Sequence, residues 1–151
     1  LEFAEFEHVL SSVRDRGEEG DFPEGYSPFD FWSASQGDIL LAEQELKVSL
    51  PEAYVGFMRG YGGGQFLFLD LLTVVSHGRE AEDLISVNRS SPLSAGFLAL
   101  APVGTGDWWG FPVRDGACTN AVALLDHEDG RTEPLGLDFL EFLIREGLRV
   151  Q

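Results

Sequence analysis

Asp126-His127-Glu128-Asp129 is the densest run of potential metal ligands in the chain. Adjacent residues on a strand point to opposite faces, and the other histidines, His8 and His77, are remote, so a zinc-type ligand set is not expected. Calcium needs oxygen donors spaced along a dedicated loop, and that spacing is absent. The run reads as a solvated hairpin tip. Gly104-x-Gly106-x-x-x-Gly110 approaches the dinucleotide fingerprint, which works only where a strand, a glycine turn and a helix start follow one another. Trp108, Trp109, Phe111 and Pro112 disfavour a helix there, so nucleotide binding is set aside. Cys118 follows Gly116-Ala117 in an expected turn, and the chain has no Gly-x-Ser-x-Gly elbow. A lone cysteine with distant histidines offers little for nucleophilic catalysis. Paired carboxylates carry no information in a chain with 26 Asp and Glu residues. No catalytic residue, metal or cofactor is expected.

A contact surface is the chemistry that remains. Trp108 and Trp109 are adjacent, so on a strand one ring faces the core and the other faces away, where tryptophan offers a large contact area at low entropy cost. Asp107, Glu128 and Asp129, with the acids between residues 18 and 24, would form a charged rim that speeds encounter with a basic protein. The competing readings are plain: both indoles serve the core, and the acids serve solubility. Asp107, Trp108, Trp109, Glu128 and Asp129 are the candidate partner-binding residues.

Charge balance supports a protein partner. Ten basic residues face 26 acidic ones, a net −16, with a pI near 4.3. Such a field repels phosphate backbones and anionic membranes and attracts a basic protein. The 151 residues are 44% hydrophobic and 12% aromatic, the composition of a globular chain able to bury its own core. One cysteine excludes an intrachain disulfide framework and fits a reducing, cytoplasmic compartment. No apolar run reaches membrane-spanning length, and the first residues lack the form of a signal peptide.

These side chains need elements to hold them. Phe3, Phe6, Leu10 and Val13 have helical spacing, and Gly17 is expected to end that helix. The acidic stretch that follows reads as a surface loop, with Phe29, Phe31 and Trp32 pinning it to the core; a ligand-contacting role is the alternative. Ser35 and Asp38 have capping-box spacing ahead of a helix carrying Ile39, Ala42, Glu43 and Leu46 on one face. The next helix starts at Pro51, which suits the first helical position, with Glu52 favoured by the helix dipole. Tyr54, Phe57, Met58 and Tyr61 form its apolar face, and Gly62-Gly63-Gly64 stop it by supplying a left-handed cap. Residues 65–69 read as a strand, with one or two strands expected between 66 and 75. A short helix is expected over 80–88, and strands over 97–103 and 122–125. Asp129-Gly130 suits a type I′ hairpin turn into a strand at 131–135. Asp138 caps a last helix bearing Phe139, Phe142 and Leu143.

The Leu50-Pro51 helix closed by glycines, preceded by Ile39, Glu43 and Leu46, resembles the signature of the SUKH superfamily, which includes fungal cell-wall-assembly regulators and many bacterial immunity proteins. Family members more often carry Asn-Gly-Gly where this chain has Gly62-Gly63-Gly64. The segment from Gly104 to Trp109 is similar to the family's Gly-Asp turn, and Asp138 stands where its closing helix usually has Ser. The resemblance runs from about Ile39 to Leu143. It implies an α+β fold, a mostly antiparallel sheet with helices packed against it. A single domain, 1–151, is expected, with the SUKH-like core at about 36–146 and an N-terminal helix and acidic loop at 1–35. The implied function is non-enzymatic protein binding, as an immunity protein neutralising a cognate toxin, often a nuclease. The alternatives are a regulatory scaffold of the cell-wall-regulator type, whose members usually carry long disordered flanks, and an uncharacterised enzyme, which a buried cleft of convergent polar groups would mark.

Overall fold

Apolar residues at three- and four-residue intervals set the first helix, α1 (Phe3–Arg16), which buries Phe6, Leu10 and Val13. The computed structural model describes residues 1–78 and 82–150. Gly17 does not end the helix as the sequence suggests. It keeps right-handed dihedrals, and the chain runs on through a wide π-type turn, Gly17–Asp21, broken at Gly20. The ring of Phe22 lies where a Gly17 side chain would stand.

Helix α2 (Gln36–Leu46) opens on the expected capping box: the Asp38 N–H donates to Ser35 Oγ at 3.1 Å and the Ser35 N–H to Asp38 Oδ2 at 2.9 Å. Half-buried Glu43 accepts the Leu50 N–H at 2.9 Å, fixing the entry to α3 (Glu52–Gly60). Pro51 stands one position earlier than expected, as the extended N-cap rather than the first helical residue. Tyr54, Phe57 and Met58 are buried, and Tyr61 caps the other end. Gly62 then takes φ +114° and donates to Phe57 O at 3.0 Å, pressed against the Trp32 backbone where a Cβ has no room.

Residues 65–69 are not one strand. β1 (Gly64–Phe66) and β2 (Leu69–Leu71) form a two-stranded hairpin. Leu67 is left-handed at φ +52°. Its N–H donates to Pro28 O at 2.8 Å, and that of Phe68 to Gly147 O at 3.1 Å, so both leave the ladder. Helix α4 (Leu84–Asn88) starts after Asp83, which accepts the Ser86 N–H at 2.8 Å. The expected start at Glu80 and Ala81 lies outside the described residues.

β3 (Phe97–Pro102), β4 (Trp108–Arg114), β6 (Val122–Leu125) and β7 (Thr132–Leu137) pair antiparallel in the order β3-β4-β6-β7, with β5 (Ala117–Cys118) beside β4. Pro102 ends the edge strand β3, where its missing N–H costs no ladder bond. Cys118 lies in β5 rather than in a turn; the turn is Asp115-Gly116, with φ +51° and +74°, the left-handed pair of a type I′ hairpin. At Asp129-Gly130 only Gly130 is left-handed, and the Asp126 N–H closes a longer loop on Arg131 O at 2.9 Å.

Helix α5 (Phe139–Phe142) has a capping box between Asp138 and Glu141 and continues into a π-type turn, Leu143–Leu148. It packs over the inner sheet face: Phe139 lies 5.2 Å from the Tyr54 ring, 5.7 Å from Phe57 and 5.9 Å from Phe111. Phe66 joins α1 to this core, 6.4 Å from Phe6 and 5.5 Å from Phe57. Helices packed against antiparallel sheets, one of two strands and one of five, make the fold α+β.

Candidate functional site

Two loops meet at one end of the sheet because a single carboxylate brackets them. Asp107, just before β4, accepts the His127 backbone N–H at 3.0 Å and contacts His127 Nδ1 at 2.6 Å, both through Oδ1. Thr105 Oγ1 lies 3.1 Å from its other oxygen, and the Asp107 carbonyl accepts the Val103 N–H at 3.0 Å. Across the bracket, Asp126 Oδ1 accepts the Glu128 N–H at 2.8 Å and the Asp129 N–H at 3.4 Å. Glu128 and Asp129 therefore stand exposed at the tip of the β6–β7 loop.

Strand alternation puts the two indoles on opposite faces, as expected. Trp109 turns inward, 5.5 Å from Phe142 at a 63° interplanar angle. Trp108 covers Phe97, Ala123 and Leu125, a small cluster on the outer face. Both rings are half-buried, so the outward one is the roof of a second cluster rather than a free anchor.

Hydrogen bonding sets the charge state of the bracket. Bonds from the His127 backbone N–H, then its ring, hold the Asp107 carboxyl below the ordinary 3.8. The same contact raises the His127 imidazole above the ordinary 6.5. The raised imidazole stabilises the fold below pH 6.5, and that contribution is lost as pH rises through its folded value. The lowered carboxyl stabilises it above pH 3.8, and that contribution is lost as pH falls through its folded value. In an NMR titration, the His127 ring protons are expected to turn over above pH 6.5 and to return toward it in Asp107→Asn. A wild-type midpoint at or below 6.5 would show that the two loops are not bracketed in solution.

Donor atoms of Asp107, Asp126 and His127 lie within 4.8 Å of one another. Asp107 and Asp126 each use Oδ1 on backbone N–H groups, Asp107 also on the imidazole, so turn geometry accounts for the cluster. Burial, then Glu43, pushes the Cys118 thiol up to about 12, the opposite of an activated nucleophile.

The acids of residues 18–24 do not line this end of the sheet. Glu18 and Glu24 line a separate cleft of about 680 Å³ with Arg14, Phe22, Tyr26 and Phe31. From the sequence, Phe31 reads with Phe29 and Trp32 as a core anchor, whereas Phe22 and Tyr26 read as part of the surface loop; the density of rings over residues 22–32 was the available signal.

Helices leading through Glu43, Leu50 and Pro51 into a glycine-capped turn, an antiparallel sheet and a closing capped helix define a SUKH-superfamily domain. The chain belongs to the SUKH_6 family, described as SMI1-KNR4 cell-wall, whose model matches residues 36–143. No curated protein matches the chain. Among the described residues no helix is long and apolar enough to cross a membrane.

Proposed function

We propose that the chain is a non-enzymatic protein-binding module, and specifically an immunity protein that occupies a basic toxin, best matched to a nuclease, in the cytoplasm of the producing cell. The observation that carries this reading is a net charge of −16 on a domain of this family. Family membership fits domains of the immunity or regulator type. A nuclease must hold phosphates, so its working surface is basic, and an acidic domain occludes it by presenting carboxylates where the nucleic acid would lie. The proposed contact surface is the bracketed end of the sheet. The half-buried, outward-facing Trp108 supplies apolar area, Trp109 backs it from the core side against Phe142, Asp107 holds the loops in register, and Glu128 and Asp129 supply the exposed charge that steers encounter. A regulator would share the contact role and differ in its partner.

The test is titration of the full chain against the toxin encoded beside it. Sub-micromolar affinity is expected at about 0.1 M salt, weakening at least tenfold near 0.5 M. Reversing both exposed tip charges, Glu128→Lys with Asp129→Lys, is expected to slow association about tenfold. Absence of binding removes the reading; salt-insensitive binding removes its electrostatic part.

A further inference from the structure

We propose that the cleft between the C-terminal end of α1 and residues 22–31 docks an extended, arginine-bearing segment of the protein partner. The inference rests on the reading of the chain as a binder of a basic protein. It adds a second contact, on residues that precede the family-matched 36–143.

The walls are built and fixed before anything binds. Phe29 and Phe31 stack at 4.9 Å, nearly parallel at 5°, and Phe29 stands 5.2 Å from the buried ring of Phe66. Asp30 between them donates its N–H to Gln65 O at 2.9 Å and accepts the Gln65 N–H at 2.7 Å. The Gln65 amide also donates to Tyr26 Oη at 3.1 Å. Phe22 meets Tyr26 edge-on at 5.9 Å and rests on Gly17. A partner entering this cleft orders few side chains, which lowers the entropic cost of binding. The cleft holds about 680 Å³ and lies open to solvent along one side, as an extended segment requires.

The lining also specifies the occupant. Tyr26 remains 43% exposed beside the half-buried Phe22, so folding leaves aromatic area facing solvent. Among the described residues, Glu18 and Glu24 line the cleft against a single cation, Arg14, with exposed Glu19 and Asp21 on the same acidic turn. A neutral apolar segment would strip water from these carboxylates without replacing its hydrogen bonds, and an acidic one would be repelled. Arg14 shows the geometry that fits: its guanidinium lies 5.4 Å from the Phe31 ring centroid. A planar guanidinium stacks on a ring and presents paired N–H donors to a carboxylate, which a lysine ammonium does not. An arginine entering beside Tyr26 would meet an aromatic face and the Glu18 and Glu24 carboxylates together.

The probe is the capped peptide Ac-Gly-Arg-Ser-Arg-Gly-NH2, titrated into the isotope-labelled full chain and followed by NMR. Saturable shifts are expected at Phe22, Tyr26 and Phe31, about threefold or more weaker in affinity with lysine in place of arginine and absent with neutral citrulline. Tyr26→Ala, and separately Glu18→Gln with Glu24→Gln, are expected to weaken binding about tenfold; the Glu pair is exposed and leaves the fold intact. No saturable shift, equal shifts with citrulline, or shifts confined to Asp107 and Glu128 would overturn the proposal. Toxin affinity unchanged by the Glu18 and Glu24 substitutions also overturns it while the proposed function stands. Cleft shifts in a chain that binds no basic protein support the cleft and remove that function alone.

Discussion

Replacing Gly110 with alanine is expected to destabilise the fold by about 3 kcal/mol or more, a fall of roughly 6–12 °C in the unfolding midpoint. Gly110 is buried in β4, paired with Ala99 of β3 on one side and Ala123 of β6 on the other. A Cβ there would run into the Leu98 carbonyl oxygen and stand 2.7 Å from Phe97 Cε1. The oxygen belongs to the backbone of the neighbouring strand, so it yields only if β3 moves. Phe97 is fully buried beneath Trp108, so its ring has no empty space to enter. The strain must therefore open the β3–β4 pairing, the pairing from which Trp108 and Trp109 start. Urea unfolding would report the loss, and near-ultraviolet circular dichroism would report altered packing of the two indoles. A loss below about 1 kcal/mol would mean that the strands do not approach so closely at this point.

The same glycine shows how far local sequence reasoning reaches. Gly104, Gly106 and Gly110 carry a spacing that invites a nucleotide reading, and the flanking rings reject it. The positive reason for Gly110, a backbone crossing, depends on which strand lies alongside and has no local signature. Elements governed by nearby residues were legible: the Ser35 capping box, the apolar faces of α1 and α3, and the Asp138 cap. The motif from Ile39 to Pro51 gains a mechanism, because Glu43 reaches seven residues along the chain to hold the Leu50 N–H. The two Asp-Gly dipeptides at 115–116 and 129–130 look alike in isolation. Long-range pairing makes only the first a type I′ turn, since β5 must return at once to β4, whereas β6 and β7 are joined by a longer loop. Leu67 reverses a run of strand formers through a left-handed conformation that its side chain does not announce. At the candidate site, Asp107 and the loop acids were visible as charges. The bracket to His127, twenty residues away, exists only once β4 and β6 are in register.

Asn88→Ala is expected to cost about 3 kcal/mol as well, and the reason lies on the other side of the same register. β3 is the sheet's edge, and an unpaired edge leaves backbone donors and acceptors open to another chain. The fully buried Asn88 amide takes the place of a strand. The Ala99 N–H donates to its Oδ1 at 2.8 Å, and its Nδ2 donates to Ala99 O at 2.9 Å and to Leu84 O at 3.0 Å. One residue on, where the register shifts between Ala99 and Ala101, Leu100 O accepts the Leu72 N–H at 2.8 Å and ties in the β1–β2 hairpin. Alanine at 88 leaves both Ala99 groups buried without partners, each worth about 1–3 kcal/mol. Asn88→Asp keeps the acceptor and turns a carboxylate oxygen toward two carbonyl oxygens. Burial and those oxygens favour its protonated form, raising its folded pKa above the unfolded one, so its deficit should be smaller near pH 4 and grow toward pH 7. Unfolding at the two pH values separates the cases, and light scattering would detect self-association through the opened edge. A loss under about 1 kcal/mol for Asn88→Ala, or a pH-independent deficit for Asn88→Asp, would mean that water, rather than this amide, satisfies the edge of β3.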